Sequence, residues 1–172
     1  AQALANSYNL SAVRLGQEFG LSTFKNNLVK FGVTSKIPNY PSIFLGAVDM
    51  SPMEMMSIYG NFATGGFKYP VKAIRTVADS NGRLLDRYGL NVQQTIEPSS
   101  AYILNYGLQQ VMSSGTGKSA YNTFSSELKL AGKSGTTNDT RDSWFAGYSG
   151  NNLAVVWLGL DDNKVTGLTG ST

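Results

Sequence analysis

Between Gln2 and Gly115 apolar residues mostly recur every three or four positions, save for an alternating stretch around Asn81-Gly82, whereas beyond Lys129 they alternate with polar ones or run in short blocks. Side chains repeat every ~3.6 residues on a helix and every two on a strand, so the first pattern predicts helices and the second strands. "QALANSYNLSAVRLGQEFGL" predicts a helix, a break at Asn6 to Asn9, and a second helix with Leu10, Val13 and Phe19 facing inward, ended by Gly20. Ser22 is placed to cap a third helix, "TFKNNLVKFG", stopped by Gly32. "IPNYPSIFLG", with two prolines, predicts an extended connection. The clearest helix start is "MSPMEMMSIYGNFATGG": Ser51 at the N-cap, Pro52 at N1, Glu54 completing a capping box, and Gly65-Gly66 as the stop. Around Asn81-Gly82, "YPVKAIRTVADSNGRLLDRYG" alternates as a hairpin does. "EPSSAYILNYGLQQVMSSG" predicts a helix capped at Ser99 or Ser100 and ending at Gly115. "KLAGKSGTT", "DSWFAGYS" and "LAVVWLGLDD" predict strands joined by turns. The fold class expected is α+β, a helical part followed by an antiparallel sheet.

The absences narrow the chemistry. Among 172 residues there is no Cys and no His. Thiol nucleophiles, disulfides, imidazole bases and nearly every zinc site are thereby excluded. An enzyme built from this chain works with a hydroxyl, a carboxylate, a Lys or a Tyr. The net charge of +3 is spread thinly, without the Lys/Arg cluster that nucleic-acid binding requires. No run of about 18 apolar residues crosses a membrane, and no signal segment opens the chain. The chain begins inside a predicted helix and stops in the turn-rich "GLTGST", so it reads as a piece of a longer protein.

Gly-Lys-Ser occurs twice, at Lys118 in "SSGTGKS" and at Lys133 in "LAGKSGTTND". A phosphate-binding loop needs a further Gly five residues before the Gly-Lys pair. That position holds Met112 for the first copy and Glu127 for the second, so neither makes a nucleotide site. The first copy reads as a flexible helix-to-loop exit. On a strand, Lys133, Gly135 and Thr137 point one way and Ser134 and Thr136 the other. Gly135 lets a ligand backbone lie close, so the strand suits an extended peptide with a terminal carboxylate. The plainer alternative is an ordinary strand with surface hydroxyls and one solvated Lys.

"KSGTTNDTRDSWFAGYS" closely resembles the third active-site motif of penicillin-binding proteins and the strand that follows it. Ser7-Tyr8-Asn9, at the helix break in "ALANSYNLSAVRLG", is similar to the family's second motif, S-x-N. "LGAVDMSPMEMMSIYGNFATGGFKYPVKAIRTV" resembles the segment between those motifs in class A, bifunctional members, nearest the 1b group. The resemblance implies a penicillin-binding/β-lactamase-like transpeptidase fold and serine acyl-transfer onto peptidoglycan stem peptides ending in D-Ala-D-Ala, with β-lactams as mimics. It also implies residue roles. Ser7 relays a proton, Asn9 binds the substrate amide and the base Lys, and Lys133 draws the carboxylate and lowers its neighbour's pKa. Ser134 and Thr136 bind that carboxylate along the Ser134-Gly135-Thr136-Thr137 stretch. The Thr136 N–H is an oxyanion donor, a contact worth about 3 kcal/mol in comparable sites. No metal or organic cofactor is implied.

One departure concerns the nucleophile. The chain contains "STFK", Ser22 to Lys25, but the family places S-x-x-K before S-x-N, and Ser22 follows Ser7. The nucleophile and base Lys are therefore expected upstream. Residues 1–172 are read as the C-terminal part of the transpeptidase domain, without that segment, the first two sheet strands or the closing helix. The fragment alone is expected to be inactive and to need the N-terminal remainder of the protein as partner. Trp144, Phe145 and Met50, Met53, Met55 and Met56 read as packing, Tyr148 as an edge of the cleft, Arg141-Asp142 as a local pair, and Asp161-Asp162 as a strand exit. The rival readings are a D,D-carboxypeptidase or β-lactam-hydrolysing enzyme of the same fold, a non-catalytic peptide-binding module, and an ATPase disfavoured by the failed spacing. The parent is expected to carry a glycosyltransferase domain and to be held by an N-terminal helix at the periplasmic face of the bacterial cytoplasmic membrane.

Overall fold

The structure is a computed structural model that describes residues 1–170; Ser171 and Thr172, the end of "GLTGST", lie outside the described residues. Helices α1 (Gln2–Ala5), α2 (Asn9–Phe19), α3 (Leu21–Phe31) and α4 (Pro52–Ala63) come first. Strands β1 (Phe67–Lys68), β2 (Thr76–Ala78), β3 (Leu84–Arg87) and β4 (Gln93–Gln94) follow, then α5 (Pro98–Ser114). The chain closes with β5 (Ala131–Thr136), β6 (Ser143–Tyr148) and β7 (Leu153–Leu158), an antiparallel sheet in the order β5-β6-β7. The expected α+β class, the hairpin β2-β3 and all three late strands are as the periodicity predicts.

α5 packs one side against β5 and α1. Its Ala101, Leu108, Val111 and Met112 are buried, and Leu108 joins Ala131 of β5 and Tyr148 of β6 in one cluster. α4 covers the same sheet face, placing Tyr59 and Phe62 on that cluster. Its start is the predicted one. The Ser51 hydroxyl accepts the Glu54 N–H at 3.2 Å and the Glu54 carboxylate accepts the Ser51 N–H at 2.9 Å. The buried Glu54 also takes N–H groups from Thr34 and Ser35, tying the exit of α3 to the start of α4.

Several expectations need correction. α2 meets the connection through Gly16, where a Cβ would lie 2.3 Å from the Phe44 ring, and not through Leu10 (83% exposed) or Phe19 (50%). Gly20 (φ 89°) is at once the C-cap of α2 and the N-cap of α3, so no room remains for Ser22 as a cap. α5 begins two or three residues early: Pro98 takes N1 after Glu97, leaving Ser99 and Ser100 inside the helix. Pro41–Leu45, expected to be extended, is a 3-10 turn that buries Ile43, since Pro41 presets the helical φ. Met53 is 53% exposed and fills no core. Tyr148 is buried, not at the cleft, because it shares the inner sheet face with Ala146; its hydroxyl donates to Asn105 Oδ1 at 2.6 Å. Arg141 and Asp142 do not pair with each other. Arg141 faces Asp139 at 3.7 Å, while Asp142 accepts from Trp157 Nε1 at 3.0 Å. The stretch after α5 is not a loose exit but a set of hydrogen-bonded turns leading into a 3-10 segment at Lys118–Asn122.

Candidate active site

Ser7 sits at the end of α1 in a conformation that serine rarely adopts. The Tyr8 N–H reaches Ala3 O at 2.9 Å and the Ser7 N–H reaches Leu4 O at 3.3 Å, the paired bonds of a Schellman helix ending. That motif needs a left-handed residue after the cap, ordinarily Gly, and here Ser7 fills it with φ 55°. Holding a non-glycine residue there costs on the order of 1–2 kcal/mol. In return, the hydroxyl is aimed off the helix end. α2 restarts at once, with Asn9 as its first residue, so both polar members of S-x-N stand on one bend.

β5 is the edge strand of the sheet, and Lys133 lies in its middle. The stem of Lys133 lies beside Met55 and Tyr59 of α4, in a small cavity of about 90 Å³ also lined by Ser134, Gly135, Trp144 and Ala146. From there the ammonium reaches Ser7: Lys133 Nζ donates to Ser7 Oγ, and to the carbonyl of Ser134 at 2.9 Å. Burial without a compensating acid pulls the Lys133 pKa below the usual lysine value. The ion pairs among the described residues all lie elsewhere. An uncompensated, partly desolvated cation is thus directed into a cleft.

The cleft is a cavity of about 500 Å³ lined by Ser7, Asn9, Lys133 and Ser134, with Tyr8, Leu15 and Phe44 among its apolar walls. The structure therefore brings together four of the residues singled out in the sequence, from two segments more than a hundred positions apart. Gly135 lines the smaller cavity beside it. Thr136 and Thr137 line neither. The Thr136 hydroxyl accepts the Gly170 N–H at 3.1 Å, and Thr137 closes the turn, its hydroxyl accepting the Asp142 N–H at 2.8 Å. Ser22 and Lys25 are also outside the cleft, and the Lys25 ammonium donates to Asn39 Oδ1 at 3.4 Å. One residue escaped the sequence reading: Thr116, whose hydroxyl accepts from Ser134 Oγ at 3.0 Å. The "GTG" exit of α5 was its only signal, and it carried no periodicity.

The site is thus a hydroxyl on a strained bend held by a half-buried lysine of an edge strand, in a chain without imidazole. Residues 1–171 match the family described as penicillin binding protein transpeptidase domain. The chain belongs to that family. It is 39% identical to penicillin-binding protein 1B of Vibrio cholerae serotype O1 over 171 residues, covering 99% of this chain and 22% of that protein. It spans about a fifth of the length of the curated relatives it matches. Penicillin-binding protein 1A from Haemophilus influenzae superposes with a TM-score of 0.89 at 22% identity, over 99% of this chain and 31% of that one. PonA1 from Mycobacterium tuberculosis, solved with penicillin V, superposes at 0.85 and 22% identity over 99% of this chain and 51% of its own. The expected transpeptidase fold, helices on an antiparallel sheet, is the fold of this chain.

Proposed function

We propose that the intact protein is a D,D-transpeptidase that cross-links peptidoglycan stem peptides and is acylated by β-lactams. A serine upstream of Ala1 attacks the penultimate D-alanine carbonyl, the terminal D-alanine leaves as its amine, and a neighbouring strand's amine then takes the acyl group. Ser7 passes the proton to the departing amine, with Lys133 holding its hydroxyl. Lys133 and Ser134 receive the substrate carboxylate, Asn9 binds the peptide amide, and the stretch Gly135, Thr136 and Thr137 forms the strand edge along which the peptide extends. The observation that carries this reading is the hydrogen bond from Lys133 to Ser7 across the mouth of the cavity. The relatives' names and the penicillin-bound neighbour support it.

The chain's domain limits belong to the same proposal. Residues 1–172 form the C-terminal part of the transpeptidase domain, and the segment carrying S-x-x-K completes it. Val156 (50% exposed) and Leu158 (52%) lie on the sheet face opposite α4, an apolar strip suited to further packing. Among the described residues no helix is long and apolar enough to cross a membrane. The membrane anchor, the periplasmic location and a glycosyltransferase domain are assigned to the rest of the protein, by likeness to the 1B relatives. The test is fluorescent-penicillin labelling of the full-length protein, with the labelled residue identified by mass spectrometry. Label on a serine preceding Ala1, unchanged by Ser22→Ala, is expected. Label on Ser22, or none, overturns the reading.

A further inference from the structure

We infer that Thr116 is a positioning residue that sets the Ser134 hydroxyl for a ligand carboxylate, an assignment that rests on the transpeptidase reading above. Thr116 follows α5 on a loop pressed against the end of α1. Its N–H donates to Ala5 O at 3.1 Å, and a Cβ at the preceding Gly115 would lie 2.2 Å from that same oxygen. Only glycine at 115 allows this approach. The loop is thereby locked to the helix end that presents Ser7, while the Thr116 side chain reaches the other half of the site. Ser134 Oγ donates to Thr116 Oγ1 at 3.0 Å. One residue thus joins both walls of the cleft, its backbone fixed to the end of α1 just before Ser7 and its hydroxyl to the K-S-G strand.

The chemistry follows from what a hydroxyl can do. Each carries one proton and can also accept, and each rotates freely about its C–O bond. Ser134 Oγ and Thr116 Oγ1 stand 3.0 Å apart, and either hydroxyl can donate to the other. A carboxylate in the cleft has no proton to offer, so Ser134 must turn its own outward. Its oxygen then faces Thr116, which can donate in turn. No heavy atom has to move, and the chain Thr116–Ser134–carboxylate is then a cooperative relay. Thr116 does not line the cavity, so it acts through Ser134 and not by touching the ligand.

The experiment measures acylation of the full-length protein by benzylpenicillin and by its methyl ester, which lacks the carboxylate charge. Thr116→Val keeps the shape and removes the hydroxyl. It is expected to raise the half-saturating benzylpenicillin concentration about threefold to tenfold, the range of one net hydrogen bond, with the limiting rate unchanged. Acylation by the ester stays at the wild-type value, which also reports that the variant is folded. Thr116→Ser restores benzylpenicillin, and Thr116→Val adds little on a Ser134→Ala background. Equal losses for ester and acid, no loss with Thr116→Val, or no rescue by Thr116→Ser overturns the assignment. Wild-type protein that is never acylated overturns the transpeptidase reading itself, and this inference with it. Wild-type acylation with an indifferent Thr116→Val sinks the inference alone.

Discussion

Lys133, in the middle of the edge strand, donates a hydrogen bond to Ser7, 126 positions earlier in the chain, and so closes one wall of the cleft onto the other. The two partners are placed by independent devices: a strained helix ending for Ser7 and sheet pairing with Ala146 for Lys133. Removing either side chain should leave both devices in place.

Replacing Lys133 by Gln removes the charge and keeps most of the buried stem. Hydrogen bonds to charged groups contribute about 1.5–3 kcal/mol, so acylation of the intact protein by a fluorescent penicillin should slow by about tenfold to a hundredfold. Wild-type labelling kinetics in this variant would remove Lys133 from the site.

Ser7→Gly separates stability from activity. Glycine adopts positive φ without penalty, although it also gains freedom in the unfolded chain. The balance predicts a stability change between zero and about +1 kcal/mol in differential scanning calorimetry of the intact protein. Penicillin acylation should fall in the same sample. A lowered melting temperature would contradict the strain assigned to this bend.

Tyr148→Phe tests the correction of that residue from cleft to core. Loss of its hydroxyl strands Asn105 Oδ1, whose amide nitrogen is already committed to Phe62 O and Ala101 O, both at 2.9 Å. The cost should be about 1–3 kcal/mol in denaturant unfolding. Acylation per folded molecule should be unaffected, whereas a cleft role would reduce it.

Glu54 links stability to pH. Chiefly the Ser51 N–H, aided by the Ser35 and Thr34 N–H groups and against the penalty of burial, holds its carboxyl well below the ordinary value of 4.5. A folded-state pKa below the unfolded one stabilises the fold fully above the unfolded value, and the contribution is lost as pH falls beneath it. Wild-type stability should therefore decline as pH drops from about 5 to 3. Urea midpoints across that range should fall less steeply for Glu54→Gln, which begins lower by about 1–3 kcal/mol at neutral pH. Parallel pH profiles would exclude the linkage.

Local chemistry was legible from the chain alone. The Ser51–Glu54 capping box, the hairpin at Asn81-Gly82 and the three late strands depend on neighbours within a few residues, and all formed as the spacing predicts. Where two local signals competed, spacing alone did not arbitrate. Pro98 displaced the hydroxyl caps of α5, and one shared glycine displaced Ser22 from capping α3.

The residue types of the site, the absence of imidazole and thiol chemistry, and the order of the two motifs are properties of the sequence by itself, because they need no coordinates. Tertiary structure alone decided that Thr136 and Thr137 turn to Gly170 and Asp142, that Tyr148 is core, and that Thr116 bridges both walls. Those outcomes depend on how α1, α5 and β5 pack together, and contacts between segments far apart in the chain leave no periodic trace in it.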